Sequence, residues 1–131
     1  MIRSYLENIL LRLSTSPIIQ SFKVIKQREG DDEGYIRVKS ILINGDIFEF
    51  SEYLIMEKNL LIVKRYNFHW QNPDGTLIMR WDNVEHHQEI ETFPDHVHIG
   101  EEKITNSNPM NFEKVINLIE EKLNHLNKEN L

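Results

Sequence analysis

Apolar residues at Ile2, Tyr5, Leu6, Ile9, Leu10 and Leu13 recur at spacings of three and four, which sets one apolar stripe and predicts a helix over 2–13. Ser14, Thr15, Ser16 and Pro17 are expected to stop it, because a residue before proline resists helical angles and small hydroxyl residues favour turns. Beyond them the period drops to two. Alternating runs rich in β-branched and aromatic residues predict strands over about 21–27, 34–43, 46–55, 60–71, 76–83 and 96–99. Polar breaks separate these runs: the acidic loop from Glu29 to Glu33, Asn44-Gly45, Glu57-Lys58-Asn59 and Asn72-Pro73-Asp74-Gly75. A two-residue turn at Asn44-Gly45 sets Arg37 opposite Glu52 and Lys39 opposite Phe50. Val84 to Asp95 has no clean period and contains Pro94, so it reads as loop. Asn108-Pro109 reads as a helix cap and first helical residue. Phe112, Val115, Ile116, Ile119, Leu123 and Leu126 then mark the stripe of a closing helix over 109–126, and the tail from Asn127 to Leu131 is expected to fray.

Short hairpin links cannot join parallel neighbours, so the expected fold is α+β. It is an antiparallel meander of five or six strands with the N-terminal and C-terminal helices packed on one face. At 131 residues, 40% hydrophobic and 27% charged, the chain suits a single domain over 1–131. No apolar run approaches the roughly 20 residues of a membrane-crossing helix. Charges interrupt the first apolar positions, so no secretion signal is expected either. Cysteine is absent, which removes disulfides, thiolate catalysis and cysteine zinc sites together. The expectation is a cytoplasmic protein, with no membrane partner and no cofactor. A net charge of -6 argues against a surface that coats nucleic acid broadly, but it leaves room for a local basic patch.

Candidate chemistry concentrates between Tyr66 and Gly100, which hold five of the six histidines and both tryptophans. Side-chain parity sorts this segment. Tyr66, Phe68 and Trp70 share one face of their strand and Leu77, Met79 and Trp81 one face of the next. A turn that matches odd to even positions buries all six together and gathers Arg65, Asn67, His69, Arg80 and Asp82 on the other face. A bulged turn, which Pro73-Asp74-Gly75 also permits, mixes the sets, so the unmixed register is the expected one. His96 and His98, two apart, point the same way on a strand, whereas the adjacent His86 and His87 diverge unless the loop bends.

Three readings of this cluster stand side by side. In the first, two of His69, His86, His87, His96 and His98 act as base and acid, Arg80 binds phosphate with help from Arg65, and Asp82 orients a neighbour. That set suffices for metal-independent RNA cleavage, with Tyr66 or Trp70 stacking a base if either ring is exposed. In the second, His96 and His98 join His86 or His87 and Asp82 or Asp95 around a zinc- or manganese-like ion, although the spacing matches no stereotyped metal motif. The third is plain structure: Trp70 and Trp81 as core, Asp82-Asn83 as a turn satisfying loop amides, and Arg80 and Asp82 paired with neighbours for packing. A non-enzymatic module docking protein or nucleic acid on the polar hairpin face is a further alternative.

The run Arg80-Trp81-Asp82-Asn83, then His86-His87, Thr92-Phe93-Pro94 and His96-x-His98-x-Gly100, preceded by Tyr66 to Gln71 and Asp74-Gly75, resembles the signature of the TumE-type toxin family. These are small bacterial and archaeal proteins of type II toxin–antitoxin pairs, formerly a domain of unknown function. The resemblance implies a toxin role and a cognate antitoxin encoded nearby, one with a DNA-binding domain. Its motif positions here are Tyr66, His69, Arg80, Asp82, His86, His87, His96 and His98. The roles given to them above come from residue chemistry, not from the family.

Overall fold

The computed structural model describes residues 1–129. Helix α1 (Ile2–Thr15) buries Ile2, Leu6, Ile9 and Leu13, the expected stripe. It runs to Thr15 because Ser14 and Thr15 turn their hydroxyls back onto the Leu10 and Leu11 carbonyls, a bond a helix tolerates. Pro17 is the stop: it holds Ser16 extended, at φ -67° and ψ 132°.

Seven strands follow among the described residues: β1 (Ile19–Glu29), β2 (Glu33–Leu42), β3 (Ile47–Glu57), β4 (Leu60–Gln71), β5 (Leu77–Asp82), β6 (His96–Ile99) and β7 (Lys103–Asn106). They form one sheet in chain order, each strand antiparallel to the next. Helix α2 (Phe112–Glu129) closes the chain. The α+β meander is as expected, but β7 takes the sheet past five or six strands. Lys103-Ile104-Thr105-Asn106 has too little apolar alternation to be read as a strand, and a short polar edge strand is one way a sheet avoids pairing with other chains. Helix α2 also starts later than expected. Asn111, not Asn108, is the cap, its Oδ1 accepting the Lys114 N–H at 2.9 Å. The helix continues through residues 127–129 of the expected fraying tail; Asn130 and Leu131 lie outside the described residues.

Both helices cover one face. There Phe48, Phe50 and Phe68 stack with centroids 5.3 to 6.5 Å apart, and Phe112 of α2 packs on Phe50 at 4.8 Å. Ile36, Val38, Leu42, Leu54, Trp70 and Trp81 extend this core. Gly34 lets α1 approach closely, since a Cβ there would stand 2.7 Å from Ile2 Cγ2. Glu52 sits in the middle of the core with no exposed surface. Tyr5 Oη–H donates to it at 2.7 Å and the Phe112 N–H at 2.8 Å, which ties α1, β3 and α2 together. Burial outweighs these bonds and pushes the Glu52 carboxyl up to about 7. Burial and the neighbouring Glu52 push the Tyr5 phenol up as well.

Two hairpins decide which side chains share a face. Asn44-Gly45 does not form a two-residue turn. Only Gly45 of the pair adopts positive φ (92°), and the Leu42 N–H bonds the Asp46 carbonyl at 2.8 Å, closing a three-residue loop with a bulge. The register therefore slips by one from expectation: Arg37 faces Ser51 and Lys39 faces Glu49, while Ile36 faces Glu52 and Val38 faces Phe50. The two-residue turn is instead Lys58-Asn59, both at positive φ. At Asn72 to Thr76 the bulged closure appears again, with Gly75 at φ 94°. Here Ile78, an extra residue in β5, cancels the shift: Phe68 faces Trp81 and His69 faces Arg80 as expected, but Leu77 faces Gln71 and Ile78 takes its expected place against the core.

Candidate functional site

The sheet face away from the helices receives the polar half of each strand. Two rows cross it: Asn67–Asp82–His96 and His69–Arg80–His98, each residue directly opposite the next on β4, β5 and β6. Strand parity alone thus brings Arg80, Asp82, His96 and His98 together, with His69 at the end of one row.

Asp82 is the hub. It is buried, and its Oδ1 accepts the Val84 N–H at 3.1 Å, the cap expected of an Asp after a strand. The same oxygen lies 3.0 Å from His96 Nε2, while Oδ2 lies 3.6 Å from Arg80 Nε and 3.7 Å from His98 Nε2. His96 is itself buried, with Nδ1 2.9 Å from the Pro94 carbonyl. A carbonyl only accepts, so Nδ1 carries a hydrogen and Nε2 is the atom turned toward Asp82. His96 has no open face for a substrate and acts as a fixed partner of Asp82.

His98 and Arg80 are more accessible. Desolvation, and then the Arg80 charge, hold the His98 imidazole below the ordinary histidine pKa, against the smaller pull of Asp82. Arg80 Nε is buried and, among the described residues, is the one buried side-chain nitrogen or oxygen without a hydrogen-bond partner. At 3.6 Å Asp82 neutralises its charge without satisfying the donor. An arginine with a third of its side chain open is suited to an anion through the exposed part of its fork.

His87 arrives from the loop between β5 and β6. Its backbone takes a left-handed turn, φ 50°, which separates its ring from that of His86. The His87 ring lies 5.2 Å from that of His96 and 5.9 Å from that of His98, and its Nδ1 lies 3.4 Å from Glu89. One ring nitrogen from each of His87, His96 and His98 falls within 4.8 Å of the others, so among the described residues these three could hold a metal ion. The Pro94 carbonyl on His96 Nδ1 matches the support that metal-binding histidines commonly have.

The remaining candidates stand apart. His86 is exposed at the rim, 6.4 Å ring to ring from His87. His69 Nε2 is engaged with Gln71 Oε1 at 2.9 Å. Arg65 lies over the Tyr53 ring at 5.4 Å, away from the histidines. Asp95 accepts from the Tyr66 phenol at 2.7 Å instead of joining the cluster. Tyr66 and Trp70 are buried on the helix-covered face, 4% and 2% exposed, so neither meets the condition set for stacking a base. Trp81 is core, as the structural reading has it. Asn83 pins a bulge in β4, accepting from the Tyr66 N–H and donating to the Lys64 carbonyl, each at 3.0 Å. Glu89 and the Pro94 carbonyl carry no sequence signal, because an irregular loop has no spacing rule.

Among the described residues no helix is long and apolar enough to cross a membrane. No curated protein and no solved structure matches the chain. A family model described as Toxin TumE matches residues 7–127, taking in the whole sheet, the candidate cluster and most of both helices. The chain therefore belongs to the toxin TumE family.

Proposed function

We propose that this protein is the toxin of a toxin–antitoxin pair and that it arrests growth by cleaving RNA at the Arg80–His98 cluster. Family membership supports the toxin role and, with it, a cognate antitoxin as partner. The observation that carries the chemistry is the partly open Arg80 guanidinium directly opposite His98 on the next strand, both set against the Asp82 carboxylate, with the imidazole pKa lowered. A neutral His98 removes the proton from a ribose 2′-hydroxyl, and the freed oxygen attacks the adjacent phosphorus. Arg80 stabilises the charge that gathers on the phosphorane oxygens. The phosphorus–O5′ bond breaks, and His87, whose Nδ1 faces Glu89, donates the proton the leaving oxygen needs. The products are a 2′,3′-cyclic phosphate and a 5′-hydroxyl, with no water or metal consumed. Asp82 and His96 are positioning residues that hold Arg80 and His98 in place.

Induction in bacteria tests this reading. The wild type is expected to stop growth, while Arg80→Ala and His98→Ala, expressed at equal level with unchanged circular dichroism, restore it. Each variant should lose about 10²- to 10³-fold in RNA cleavage. Arrest that persists in both variants overturns the site, and arrest without RNA turnover indicates a non-enzymatic binding module. A second reading, a metal-dependent hydrolase, has the His87–His96–His98 nitrogen cluster in its favour. Elemental analysis of undenatured protein separates the two.

A further inference from the structure

We infer that the helix-free face of the sheet is a track for single-stranded RNA, running from Arg80 to a stacking platform made by Tyr35 and Tyr53. The inference rests on the RNA reading above and adds where the strand beyond the scissile phosphate lies.

Register builds the platform. Arg28 on β1 faces Tyr35 on β2, Tyr35 faces Tyr53 on β3, and Tyr53 faces Arg65 on β4, one unbroken row across four strands. Arg28 sits over the Tyr35 ring at 5.6 Å and Arg65 over the Tyr53 ring at 5.4 Å. Two half-exposed aromatic rings between two guanidinium groups give π surface and positive charge side by side. Single-stranded nucleic acid is bound by that combination without a fixed sequence. Tyr53 Oη–H donates to Glu33 at 2.6 Å, which fixes the phenol but places a carboxylate in the groove, where Glu85 is a second.

The platform opens toward the candidate site. A groove of about 1020 Å³ runs along Arg28, Tyr35, Tyr53, Arg65 and Asn67. A second, of about 370 Å³, shares Tyr35, Ser51 and Asn67 with it and ends at His69 and Arg80. From Tyr53 to Arg80 is two strands across and four residues along, roughly 17 Å at ordinary sheet spacings, a reach of a few nucleotides. Charge fits the same path. The three rows on this face contain seven lysines and arginines against Glu49 and Asp82, and with Glu33 and Glu85 at the groove's edge the path is still basic, although the whole chain carries -6. Glu49 is itself paired with Arg37 at 3.1 Å. An acidic antitoxin segment would also be drawn to the charge, but it has no use for the paired rings.

The probe is a fluorescein-labelled oligouridylate, 2′-O-methylated throughout so that it cannot be cleaved, with binding read by anisotropy. The wild type should bind it. Tyr35→Leu/Tyr53→Leu should weaken binding at least tenfold, and Tyr53→Phe should keep it, since the ring and not the hydroxyl stacks. Arg28→Ala should lower the slope of affinity against salt by about one counterion. Absence of wild-type binding at low salt overturns the track, as does binding unchanged in the double leucine variant, including the case where that face captures only an acidic peptide. Binding that depends on the rings in a protein that cleaves no RNA supports the track and overturns the cleavage reading instead.

Discussion

Glu52 on β3 and Asp82 on β5 are both buried carboxyl groups on one sheet, and pleat parity sends them to opposite faces. Glu52 lies under the helices among phenylalanines. Its partners are a phenol and a backbone amide, both neutral, and among the described residues no cation pairs with it, so burial raises its pKa to about 7. Asp82 lies on the open face with an arginine and two histidines around it. The same functional group therefore serves as a joint that keeps its proton up to about pH 7 on one face and as the hub of a polar cluster on the other. What separates the roles is the company each carboxyl keeps, because depth is similar for both. A guanidinium and an imidazole beside a buried carboxylate are also what a site for phosphate chemistry needs close by.

Substitution at each position should separate the faces. Asp82→Asn removes the charge that holds Arg80, His96 and His98, and RNA cleavage should fall about 10³-fold in a single-turnover assay. Growth arrest should be lost while the fold persists; retained full cleavage would show that Asp82 organises nothing. Glu52→Gln should leave cleavage alone and change stability instead. Between pH 4.5 and about 7 the folded wild type keeps a proton that the unfolded chain has released, so its stability falls as pH rises through that window and levels off above it. The fall is on the order of 3 kcal/mol. Urea melts of Glu52→Gln should lack this slope and show a more stable protein at pH 8. A slope of equal size in both proteins would assign it to another group.

The sequence shows one face of this comparison far better than the other. Tyr66, Phe68 and Trp70 against Met79 and Trp81 form so clear an apolar set that one register gathers them, and Arg80, Asp82, His96 and His98 follow by parity; Leu77, expected in the same set, instead faces Gln71. The Ile78 bulge is not written in any residue type: it keeps Phe68 opposite Trp81, but it packs Ile78 on the core in place of Leu77. Asn44-Gly45 misleads because it suits both a two-residue turn and a three-residue loop, and β2 and β3 carry polar residues on the open face that tolerate either. The one-residue slip places Arg37 opposite Glu52 instead of Ser51, which hides both the buried role of Glu52 and the row from Arg28 to Arg65. Tyr66 belongs by parity to the apolar face, and its burial there denies it the stacking role that Tyr35 and Tyr53 are placed to take. His87 joins His96 and His98 through a left-handed backbone turn in a loop, where periodicity offers no guide.

The ends of the RNA fragments produced by the purified toxin in the presence of a chelator test the central claim most directly. Base-and-acid cleavage at Arg80 and His98 leaves a 2′,3′-cyclic phosphate on one fragment and a 5′-hydroxyl on the other, and His98→Ala makes neither. Fragments ending in 3′-hydroxyl and 5′-phosphate, or cleavage that stops when metal is removed, would contradict it.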